Sequence, residues 1–118
     1  MTRTATRVLA GVAVATLAAA GVAAVVRYRQ GQTPHPGERA QLDELEVRLH
    51  DVEEREGTGS PSPVGRVLHD LNRNRGISVA RLRQWIVRLR HGTLNPEQAT
   101  VAESDFDALE READQRGA

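Results

Sequence analysis

A chain of 118 residues with no cysteine and three aromatic residues can form one small domain at most, and it can hold neither a disulfide nor a thiolate metal site. Its sixteen basic residues, all arginine, balance sixteen acids, so net charge selects no class of partner until it is resolved by segment.

The chain opens with a short basic tail, residues 1–7, that carries Arg3 and Arg7. Val8 to Val26 then runs for nineteen residues without a charge, and Thr16 alone brings a side-chain hydrogen-bonding group. As a helix this run would rise about 28 Å, close to the thickness of bilayer hydrocarbon. Six valines and two leucines give it roughly −2 to −5 kcal/mol at most toward insertion, since the eight alanines add little and the two glycines subtract. We therefore expect a single transmembrane helix over 8–26, with Arg7, Arg27, Tyr28 and Arg29 at the headgroups. A cleaved signal peptide is the alternative: Ala18-Ala19-Ala20 fits a small-x-small cleavage site and would make the protein secreted. A retained span is favoured, because the apolar run continues unbroken past that site. A buried helix of a soluble core ranks last, since a helix apolar on all sides needs a large surrounding core that so short a chain cannot supply. Gly11 with Ala15, and Thr16 with Ala20, are small-xxx-small pairs that permit close helix approach. The flanking arginines are too evenly divided to orient the span.

Residues 27–37 form a juxtamembrane linker rich in proline and glycine. An acidic helix is expected over 38–56, where Leu42, Leu45, Leu49 and Val52 follow the 3-4-3 spacing of a short coiled-coil seam. That seam can pair with a second copy, helped by the local concentration a membrane provides, or it can pack on its own chain. Residues 57–63 are a flexible, polar linker.

A helical mini-domain is expected over 64–116, basic over 64–92 and acidic over 96–116. Val64, Val67, Leu68 and Leu71 lie on one helix face, and Gly76 ends that helix. Ser78 caps the next, whose stripe is Val79, Leu82, Trp85, Ile86 and Leu89. Gly92 stops it, Asn95 caps the last helix and Pro96 opens that helix, which carries Ala99, Ala102, Phe106, Leu109 and Ala113. A basic helix, a tight turn and an acidic helix predict an antiparallel hairpin with ion pairs across it.

The stretch from Leu71 to Gly92 resembles a helix-turn-helix, with Ile77, Leu82 and Trp85 near positions such motifs keep apolar. It departs from the pattern at Asn72, where a small apolar residue is usual, and at Arg75, where a buried one is. The resemblance implies an anionic-partner surface at Arg73, Arg75, Arg81, Arg83, Arg88 and Arg90. A packed helix neutralised by the acidic helix after it is favoured over nucleic-acid binding. Trp, Leu and Ile on one face with arginines on both flanks also suit an anionic membrane surface, a minority reading.

Leu-His-Asp occurs twice, at His50-Asp51 and His69-Asp70, and a His-Asp pair can serve a metal-dependent hydrolase. No further ligands stand at matching spacing and no catalytic motif accompanies them, so no catalytic, cofactor or metal residue is assigned and no enzyme is expected. The sequence-based expectation is an all-α chain: one span, a short acidic coiled-coil-like helix and a bundle of about three helices. Its layout is similar to small bitopic proteins of bacterial division and to phage lysis components. The function expected from it is a membrane-anchored scaffold that self-associates through the α-helical seam at Leu42, Leu45, Leu49 and Val52. The partners expected are the membrane, a second copy and a protein partner, with a nucleic-acid-binding module as the alternative.

Overall fold

The computed structural model describes residues 2–55 and 62–115, with side chains from Val14 onward. It is all-α, with helices α1 (Thr2–Arg29), α2 (Pro36–Arg55), α3 (Pro63–Arg75), α4 (Val79–His91) and α5 (Pro96–Gln115). The molecule measures 44 × 27 × 22 Å, and its long axis matches the roughly 42 Å expected of a helix of α1's length.

Local chemistry sets the helix ends. α1 stops where Gly31 takes φ 74°, which lets the Gln32 N–H bond back to the Arg27 carbonyl at 2.8 Å. Ser62 caps α3 by accepting from the Gly65 N–H at 3.0 Å, and Ser78 caps α4 by accepting from the Arg81 N–H at 3.1 Å. Gly76 and Gly92 close α3 and α4 in the left-handed region. Asn95 and Gln98 cap α5 reciprocally: the Gln98 N–H donates to Asn95 Oδ1 at 2.8 Å and the Asn95 N–H to Gln98 Oε1 at 3.1 Å.

One core serves all five helices. Val14, Leu17, Ala18, Ala24 and Val25 of α1 share it with the stripes of α2, α3, α4 and α5. α1 is the centre, and α5 is its most extensive neighbour, followed by α2. The α1–α2, α2–α4 and α4–α5 pairs run antiparallel. Arg27 of α1 meets Glu38 of α2, Arg83 and Arg90 of α4 meet Glu53 and Asp43 of α2, and Arg81 and Arg88 of α4 meet Asp105 and Gln98 of α5.

This arrangement corrects the expectation that the chain is too small to surround an all-apolar helix. α1 is thin. Alanine, glycine and valine dominate the run, so four single-stripe helices suffice to cover it. Gly21 shows how close the approach is: a Cβ there would lie 2.8 Å from the Phe106 ring. Among the described residues no helix is long and apolar enough to cross a membrane. From Val14 to Val26 the expected transmembrane helix is instead bedded in protein, with Thr16 its one exposed residue.

Candidate functional site

The residues expected at a membrane surface form a polar collar at the C-terminal end of α1. Arg27 pairs with Glu38 at 2.9 Å, and Glu38 also accepts the His35 N–H at 2.9 Å. Burial alone would raise the Glu38 carboxyl, but the His35 N–H and the Arg27 guanidinium outweigh it and hold the group below the usual glutamate range. The Tyr28 hydroxyl donates to the Leu94 carbonyl at 2.6 Å, and Arg29 pairs with Glu103 at 3.2 Å. These three side chains are thus engaged by α2, the α4–α5 turn and α5 rather than by headgroups. The side chain of Arg7 lies outside the described residues.

The seam of α2 faces inward. Leu42, Leu45, Leu49 and Val52 are all buried in the chain's own core, so in this structure they pack on their own chain rather than on a second copy. The opposite face carries Arg48–Glu44, His50–Glu54 and Arg55–Asp51 pairs one turn apart. Val47 sits among them, 67 % exposed. Between α2 and α4 runs a shallow cleft with Leu42, Ile86 and Leu89 on its floor and Arg39, Asp43 and Arg90 on its rim.

The six arginines proposed for an anionic partner divide into two sets. Arg81 grips Asp105 with two bonds, 2.6 and 2.8 Å, and the Trp85 indole donates to the same carboxylate at 2.7 Å. Arg83 pairs with Glu53 at 2.9 Å, and Arg90 pairs with Asp43 and with Glu46, the latter at 2.7 Å. Burial alone would lower the Arg90 guanidinium, but the two carboxylates outweigh it and raise it. Arg88 reaches only Gln98, at 3.5 Å. Arg73 and Arg75 are exposed and have no ion pair among the described residues.

The helix-turn-helix resemblance is matched in its apolar frame: Leu71, Ile77, Leu82 and Trp85 are buried. Asn72 and Arg75, the two departures, are exposed. Among the described residues, neutralisation of α4 comes mainly from α2, through Glu53, Asp43 and Glu46, and from α5 through Asp105.

Asp105 was invisible in the sequence as anything but one of several acids. It is the sole buried charged residue among those described, 3 % exposed. Its signal was its register: it stands three residues beyond Ala102, on the apolar stripe rather than opposite it. Among the described residues no three His, Asp or Glu side chains gather as metal ligands. His50 is instead tied to Glu54. Comparison with protein-family models, curated proteins and solved structures finds no match.

Proposed function

We propose that the protein is a small single-pass membrane-anchored interaction protein that self-associates through α2, with its own bundle as the alternative host for α1. The observation that supports this reading is the asymmetry among the helices. α2 to α5 each bury one stripe, whereas α1 is covered on nearly every side from Val14 to Val26. A helix of that kind needs complete cover, which either lipid or a jacket of amphipathic helices supplies.

Magnitudes set the terms of that choice. Insertion of the full run contributes roughly −2 to −5 kcal/mol at most. A folded small domain is stabilised by about 5–15 kcal/mol. The closed bundle therefore prevails in water, and anchoring requires a bilayer together with a second favourable step, which pairing of α2 provides.

Fractionation of the expressed full chain, with a carbonate wash and N-terminal sequencing, tests the anchor. The expected result is an intact N-terminus in the washed membrane fraction. Intact chain wholly in the wash overturns it in favour of a bundle that stays closed. Chain lacking its first twenty or so residues overturns it in favour of a signal peptide.

A second reading, nucleic-acid binding at the α3–α4 turn, draws on Arg73 and Arg75, the two arginines left exposed beside it. Its test is retention of duplex DNA by the full chain across a salt series, because removing residues 1–30 would take out the central helix. Steep loss of retention with salt supports it, and no retention at low salt refutes it.

A further inference from the structure

The seam that α2 would offer to a second copy and the surface that α1 needs for cover belong to the same core. Leu45 and Leu49 are 1 % and 0 % exposed, and α1 is the helix against which α2 packs most extensively. From this juxtaposition we propose that the closed bundle is the self-inhibited form of the protein: α1 masks the α2 seam, and its departure into a bilayer uncovers Leu45, Leu49 and Val52 for pairing with a second copy, while Leu42 stays beside Ile86 and Leu89 of α4. The proposal rests on the anchor reading above.

Three observations support it. The seam residues are spaced 3-4-3 along one face, and a helix with that spacing is self-complementary to an identical partner. From Val14 onward, where side chains are described, α1 makes one ion pair with α2. It is Arg27–Glu38, beside the turn that joins them, and both helices bring apolar residues to the shared core. By contrast, α2 is tied to α4 by ion pairs at both ends, Arg90 with Asp43 and Glu46, and Arg83 with Glu53. To leave, α1 must part from α5 as well, its most extensive neighbour, and its hinge is the Gly31 turn, where φ is 74° and a Cβ would meet nothing within 4 Å. A second copy is the occupant that fits the uncovered face, since an apolar stripe flanked by paired acids and arginines repeats its own chemistry.

The chain has no native cysteine, so a single introduced thiol reports one position cleanly. Three full-length variants are compared: Leu45→Cys in the masked seam, Val52→Cys at its gentler end, and Val47→Cys on the outward face. Helical content by circular dichroism is measured first, and Val52→Cys carries the test if Leu45→Cys does not fold. Each is treated with a thiol reagent and then with a mild oxidant, with and without vesicles of phosphatidylglycerol and phosphatidylcholine, after flotation has measured vesicle binding.

In solution the seam thiols should react at least about tenfold more slowly than Val47→Cys, as expected of positions reached only through local opening. On vesicles they should lose that protection and form disulfide-linked dimers, while Val47→Cys reacts alike in both conditions. Vesicle-bound protein with seam thiols still protected overturns the masking proposal and leaves the anchor standing. Seam thiols that react freely in solution overturn it as well. Failure to float with vesicles overturns the anchor reading and, with it, the proposal.

Discussion

The α1–α5 and α2–α4 interfaces hold the same bundle by different means. Between α1 and α5 the contact is made by shape. Alanines and Gly21 let the backbones come together, and the Phe106 ring, fully buried, fills the space that the glycine leaves. Between α2 and α4 the apolar floor of Leu42, Ile86 and Leu89 is bordered by arginine–carboxylate pairs whose members are a quarter to nearly two-thirds exposed. Shape complementarity in a dry core is steep in energy and tolerates little change. Half-solvated ion pairs are shallow in energy but fix which helix meets which, and in what register.

Mutation should expose that contrast. Phe106→Ala should cost about 3–5 kcal/mol, enough to unfold much of the population of so small a domain, and loss of helical ellipticity on heating reads it. Gly21→Val should cost about 1–3 kcal/mol, because the new side chain must push the Phe106 ring aside. Stability that is unchanged in either variant would deny the α1–α5 packing. Asp105→Ala should cost about 1–3 kcal/mol: Arg81 is 40 % exposed and can rehydrate, but the Trp85 N–H loses its acceptor. The emission of this single tryptophan should shift in the same variant. Arg90→Ala, at the other interface, should cost no more than about 1 kcal/mol and should cost less still at high salt. A loss at Arg90 as large as that at Phe106 would erase the distinction between the two interfaces.

Acid should touch the collar of α1 before the shape-built interface. The Glu38 carboxyl is held below its unfolded value, so its contribution is present above the ordinary glutamate range and disappears as pH falls through the lower folded value. Glu38→Gln should flatten that acid limb of the stability–pH curve, and urea midpoints measured from neutral pH downward would reveal it.

Helix ends and helix faces were legible in the sequence, because each is written within a few residues. Gly76, Ser78, Gly92, Asn95 and Pro96 mark ends by conformational or capping chemistry, and every stripe from α2 to α5 falls where the spacing puts it. Ser62, read as linker, caps α3, since only its distance from Gly65 reveals the bond. Partner choice was not legible. Periodicity states that a helix has a face to bury and not what it is buried against, so α5 was assigned to α4 although α1 is its chief neighbour. The greatest departure, the bedding of α1, has the same origin: the host of an all-apolar helix depends on the summed stripes of four other elements. Of the candidate sites, the α2 seam and the six arginines were identifiable as residues, but which arginines remain unspent depended on the antiparallel pairing of α2 with α4.

The Ala18-Ala19-Ala20 stretch lies in the middle of α1, with Ala18 fully covered and Ala20 nearly so. A cut there would need this helical stretch opened out, which cannot be done without dismantling the centre of the molecule. Cutting at that point would therefore have to precede folding: a chain that had closed first would keep its beginning, and one cut earlier would lose the piece around which the other helices assemble.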